Sequence, residues 1–253
     1  MLKLFSIRSL TILISTIILS TSVISETKYY VAPYISTAKS LKMTTPEMAL
    51  QKLIAGNMRF INNKVINRNL TNQAIKTSVK GQFPSALVLS CMDSRGIPEL
   101  ILDQGIGDIF AVRLAGNVID SDQLAGIEYA TKVVGTKLIV IMGHTQCGAV
   151  SGACQNVKLG NLTQLLDKIQ PAVTAIRNQQ DDKLDCADSE TIDLIARENV
   201  LHMMKLVTEG SPITKDLIDN KKVMLVGAMQ NIKSGKVTFF DSDGKEIEAE
   251  HQS

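Results

Sequence analysis

The chain has 253 residues, with 27 Lys+Arg against 25 Asp+Glu, a formal charge of +2, and 45% hydrophobic residues. Such values exclude wholesale disorder, and a charge near zero gives no electrostatic case for nucleic acid as a partner. Four Cys are too few for a disulfide-stapled scaffold of this length.

Residues 1–25 contain Lys3 and Arg8, no acid, an apolar run over 10–19, and small or polar residues up to Ser25. A basic start, a short apolar stretch and a small-residue exit describe a secretory signal peptide. The apolar stretch is only about half of the ~20 residues a spanning helix needs, so a retained anchor is the weaker reading. Removing the segment takes Lys3 and Arg8 with it and leaves the mature chain formally neutral. No later stretch is long and apolar enough to span a bilayer. The expectation is an exported protein without a membrane partner, in the periplasm if the source is a bacterium.

Residues 26–45 read as a polar leader or arm, and 46–253 as a single domain. Thr45-Pro46-Glu47 offers an N-cap, a Pro at the first helical position and an early acid. Leu50, Leu53, Ile54, Met58 and Ile61 follow at helical spacing, which predicts an amphipathic helix over 46–62. Residues 63–81 are Asn- and Lys-rich and read as irregular. Ala86–Ser90 reads as a buried strand, 98–104 as a short helix stopped by Gly105, and 109–114 as a second strand. Asp120-Ser121-Asp122 can cap a helix that Gly135 stops. A third strand over 137–142, helices over 161–179 and 189–208, a fourth strand over 223–228 and an edge strand over 235–240 complete the series. Apolar strands alternating with helices predict an α/β fold, a mainly parallel sheet flanked by helices, with an N-terminal helical arm.

Three metal-capable residues fall just beyond predicted strands: Cys91, His144 and Cys147. Sites in open α/β sheets collect at the carboxyl ends of strands, so these residues can converge despite the sequence between them. Two thiolates and an imidazole make a zinc site with an open fourth position. Zinc there would lower the pKa of a bound water toward ~7, less so with two thiolates than with three imidazoles. In Cys91-Met92-Asp93-Ser94-Arg95, a forked Asp93–Arg95 ion pair would leave the carboxylate to accept a hydrogen bond from that water. If Arg95 let go, Asp93 would become a fourth ligand and shut the site. The plainer alternatives are buried structural cysteines and a structural ion pair. No Cys-x-x-Cys is present to support a redox reading. Cys154 and Cys186 lie outside the motif and read as two buried free thiols, with pairing as the alternative. His202 has no evident partner.

Cys91-Met92-Asp93-Ser94-Arg95 together with His144-Thr145-Gln146-Cys147-Gly148 resembles the paired signature of the beta-class carbonic anhydrases. Gly56–Phe60, Pro98–Leu100, Gly107–Arg113, Ala115–Asn117 and Gly126–Ala130 are also similar to family segments, so the resemblance covers roughly residues 46–240. It implies a zinc lyase, CO2 + H2O ⇌ bicarbonate + H+, in which hydroxide on zinc attacks CO2. It implies Cys91, His144 and Cys147 as the ligands of one Zn2+ per subunit, with Asp93 and Arg95 as the dyad. It further implies Gln82 as a bicarbonate-binding amide, and Phe110 and Tyr129 as pocket walls, partly across a dimer interface. Homodimers, often paired into tetramers, are expected. The subtype with a closing aspartate carries a Trp three residues before the first ligand; here that residue is Val88 and the chain has no Trp, which with Gln82 favours the open subtype. The rival readings are COS or CS2 hydrolysis on the same scaffold, and a non-catalytic zinc-binding assembly protein.

Overall fold

A computed structural model describes residues 35–179 and 184–248. The expected signal segment lies outside the described residues, as does the leader up to residue 34.

Six strands form one sheet: β1 (Ala86–Ser90), β2 (Ile109–Arg113), β3 (Leu138–His144), β4 (Met224–Gln230), β5 (Val237–Phe240) and β6 (Glu246–Ile247). Their order is β2-β1-β3-β4-β5-β6. The first four are parallel, and β5 and β6 close one side antiparallel. The expected mainly parallel α/β sheet is therefore present. The strand placed over 235–240 is not the edge, because β6 pairs with it.

Both faces of the sheet are covered, which is why β1 and β3 are apolar at nearly every position and wholly buried. Strand alternation divides their side chains between two cores. Leu87, Leu89, Ile139 and Ile141 pack with residues of α6 (Gly148–Cys154), α8 (Gln170–Gln179) and α9 (Ser189–Gly210). Val88, Leu138, Val140 and Met142 pack on the opposite face with Leu50 and Leu53 of α2 (Pro46–Ile61) and Ile101 of α4 (Pro98–Ile101).

The amphipathic helix starts as expected: Thr45 caps α2 by accepting from Met48 N at 3.2 Å, with Pro46 in the first turn. Buried Asn57 of α2 then ties the lower layer together. Its amide donates to Ile101 O and Gly235 O, each at 2.9 Å, and accepts from Val237 N at 2.8 Å. The helix begun by the Asp120 cap is α5 (Ser121–Glu128). It continues through a wider turn over 129–134 and stops at Gly135, whose φ of 87° suits glycine.

Several segments differ from expectation. Within the leader, α1 (Ala38–Met43) forms on a capping box between Thr37 and Ser40. Residues 63–81 are not irregular throughout, since α3 (Leu70–Lys80) forms behind an Asn69 cap. Its only buried residue is Gln73, so no apolar stripe marks it in the sequence. The segment 161–179 is two helices, α7 (Gly160–Asp167) and α8, and a further helix α10 (Pro212–Asp219) starts behind the Ser211 cap.

Cys154 and Cys186 are not free thiols but a disulfide, with Cα atoms 5.7 Å apart. α8 packs against both α6 and α9, which returns the segment before α9 to the end of α6. No helix among the described residues is long and apolar enough to cross a membrane.

Candidate metal centre and the dyad beside it

β1 and β3 are neighbours in parallel register, with Ser90 opposite Met142. The chain leaving β1 at Cys91 therefore meets the carboxyl end of β3 at His144, and Cys147 follows at the start of α6. β3 runs two residues further than expected and carries His144 inside the strand, opposite Gln230 of β4. The ligand-capable atoms of Cys91, His144 and Cys147 all lie within 4.8 Å of one another, and all three residues are buried.

The donor set fits a soft or borderline dication. The Nδ1 of His144 lies 2.9 Å from Thr145 O. A carbonyl only accepts, so Nδ1 carries the proton and Nε2 presents its lone pair. That Nε2 is buried with no hydrogen-bond partner. An orphaned imidazole nitrogen beside two sulfurs is what a Cys2His zinc site leaves behind. The thiols share one another's protons. Cys91 is pulled down to about 4, first by the hydrogen bond with Cys147, against burial, and with help from His144. Gly116 N also donates to Cys91 Sγ at 3.4 Å. Cys147, on the other side of the same contact, is pushed up, and burial adds to the push. For His144 burial opposes protonation, but the nearby Cys91 sulfur and the Thr145 carbonyl outweigh it and the net direction is up.

The dyad has the forked geometry expected of it. Arg95 Nε donates to Asp93 Oδ1 at 2.9 Å and Arg95 Nη2 to Oδ2 at 2.7 Å, while Arg95 N also donates to Oδ1 at 2.9 Å. The Arg95 hydrogen bond holds Asp93 well below the usual carboxylate range, although burial opposes it. Asp93 is the more sheltered partner, its side chain 18% exposed against 52% for Arg95.

Flanking strands hold the loop between. Arg113, at the end of β2 and opposite Ser90, donates to Cys91 O at 3.3 Å and to Asp93 O at 2.6 Å. Asn199 of α9 donates to Gly116 O, and Asp193 accepts from Gln146 N. Gly116, at φ 65°, admits no side chain, because a Cβ there would stand 2.6 Å from Ile169. Arg113 stands at a strand end, the same signal that marked Cys91, and was open to the same inference.

Of the three expected pocket residues, Gln82 and Phe110 lie away from the cluster within their own chain. Gln82 is exposed and precedes β1, whose five residues span about 16 Å before Cys91. Phe110 stands opposite Leu87, four strand positions or roughly 13 Å short of the level of Cys91. Phe110 and Tyr129 do meet each other, with ring centroids 6.3 Å apart, and Tyr129 is 53% exposed.

Comparison with known proteins agrees with this geometry. The carbonic anhydrase family model matches residues 86–237. The chain is 30% identical over 206 residues to carbonic anhydrase 2 of Mycobacterium tuberculosis, covering 79% of this chain and 96% of that protein. It is 28% identical over 198 residues to the carbonic anhydrase of Pseudomonas aeruginosa, covering 76% and 88%. Among solved structures, it resembles tetrameric beta-carbonic anhydrases of Sordaria macrospora (TM-score 0.61, 27% identity, 69% of this chain and 87% of that one). A beta-carbonic anhydrase of Aspergillus fumigatus is similarly related (TM-score 0.61, 29% identity, 68% and 82%). With the family model spanning more than half its length and a Cys–His–Cys cluster beside an Asp–Arg fork at the strand ends, the chain belongs to the beta-carbonic anhydrase family.

Proposed function

We propose that Cys91, His144 and Cys147 hold the zinc of this enzyme and that Asp93 and Arg95 serve the reversible hydration of CO2 beside it. The convergence of the three donor residues, brought together from two strand ends, carries the reading. When bound, zinc supplies the Lewis acidity that makes water a nucleophile at neutral pH. Asp93, kept ionised by Arg95, accepts a hydrogen bond from an O–H at its carboxylate and so orients the attacking water and the bicarbonate formed. Arg95 fixes that carboxylate by its fork. Arg113 holds the backbone on which Asp93 rides.

The open subtype is the better fit. Val88 is wholly buried where the closing subtype has a Trp, and Asp93 is engaged by Arg95. Activity then persists near neutral pH; steep loss below about pH 8, with Asp93 on zinc in a crystal, overturns this.

Gln82 and Phe110 are pocket residues only if a second copy delivers them, since their own chain keeps them away from its own cluster, and Tyr129 packs beside Phe110. The edge of β2, which pairs with no further strand among the described residues, and the exposed Tyr129 and Val133 support a homodimer or a tetramer. Export of the chain is supported by the Cys154–Cys186 disulfide, a bond that persists in oxidising compartments. N-terminal sequencing of the mature protein tests cleavage after Ser25.

Stopped-flow CO2 hydration with zinc quantified is the decisive experiment, with COS and CS2 assayed in parallel. Asp93→Ala with zinc retained is expected to lower kcat by about 100-fold or more. Unchanged hydration by that variant removes Asp93 from the reaction.

A further inference from the structure

We infer that Gln230 is a positioning residue for the Asp93–Arg95 pair; this rests on the dyad reading above. Gln230 ends β4 opposite His144 and is 3% exposed. Its backbone is fully employed in the sheet: it pairs with Val237 of β5, and its carbonyl accepts from Thr145 N at 2.9 Å. The side chain therefore has no part in holding the strand. It reaches back to the dyad loop, where Nε2 donates to Arg95 O at 3.3 Å.

A buried amide needs such a partner, and a loop carbonyl so engaged loses freedom. The segment 91–96 is thereby held from two sides. Arg113 of β2 takes the carbonyls of Cys91 and Asp93, and Gln230 of β4 takes that of Arg95. Arg113 alone leaves the Arg95 end free to pivot about the turn closed by Gly96 N and Asp93 O. The close fit extends to the next residue. A Cβ on Gly96 would stand 2.8 Å from Gln230 Oε1, so the absence of a side chain at 96 is what admits the amide.

The fork of Arg95 on Asp93 is directional, and its backbone anchor sets where the guanidinium starts. Loss of a support around a site of this kind costs about 10- to 100-fold. Gln230→Met keeps the volume and removes the donor; Gly96→Ala pushes the amide aside from the other direction. Both are made in the full chain and assayed as zinc-loaded enzyme beside the parent. The expected result is a kcat about 10- to 100-fold lower in each, with KM for CO2 within about twofold, one zinc per chain, and a melting transition that still begins well above the assay temperature. If Gln230→Met does not fold, Gly96→Ala carries the test. A kcat within about twofold of the parent overturns the inference, as does a loss that tracks lost zinc or unfolding at the assay temperature. A parent that does not hydrate CO2 overturns the dyad reading beneath it, and the inference with it.

Discussion

The Cys154–Cys186 disulfide invites a quantitative test, because it joins the end of α6 to the segment that leads into α9. The perturbation is the double variant Cys154→Ala/Cys186→Ser, matched to the buried first site and half-buried second. The two residues are 32 apart in sequence. Closing a loop of that length removes chain entropy from the unfolded state worth about 3.7 kcal/mol at 25 °C. For a chain of this size that is a fall in Tm of roughly 7–15 °C. The assay is thermal unfolding by circular dichroism at matched zinc content. A phosphine reductant should lower the parent to the variant's Tm and leave the variant where it is. A variant melting within about 2 °C of the parent refutes the loop-entropy reasoning. A reductant that lowers both proteins equally places its effect on other thiols and refutes it as well.

Two further perturbations read the scaffold. Asn57→Leu leaves Ile101 O, Gly235 O and Val237 N without their buried partner, and is expected to destabilise by about 3–5 kcal/mol in urea unfolding. A loss below about 1 kcal/mol would show that those groups find other partners. Asp120, the cap of α5, is held below its usual pKa first by Lys168, which donates to it at 2.6 Å, against a small burial cost. A carboxylate depressed on folding stabilises above its unfolded pKa and loses that contribution as pH falls through the folded value. The stability gap between the parent and Lys168→Met should be constant over about pH 5–7 and shrink below about pH 4. A gap that grows on acidification reverses the sign and refutes the assignment.

Local chemistry made much of this protein readable from its sequence. Parallel strands buried on both faces appear as unbroken apolar runs, so β1 and β3 were found nearly to the residue. Thr45-Pro46 announced α2, and Asp120 with Gly135 bracketed the helix between them. The metal cluster was legible because catalytic residues sit at strand ends, and strand ends are marked by where apolar runs stop. α3 was not legible, because its buried side is a single Gln and a polar helix carries no stripe. β4 was read two residues short, which hid Gln230 at its end.

What sequence alone determined, then, is the mainly parallel sheet, the capped helices α2 and α5, the candidate metal donors and the Asp93–Arg95 fork, each set by residues near one another or by a periodic pattern. Only the tertiary structure decided which distant groups meet. It bonded Cys154 to Cys186, set Gln82 at the far end of β1 from the cluster in its own chain, and brought Gln230 across 135 residues to the Arg95 carbonyl. The physical reason is that spacing and hydrophobic period encode only what lies within a few turns or one strand. Packing between layers is set by shape and by the need of every buried polar group for a partner.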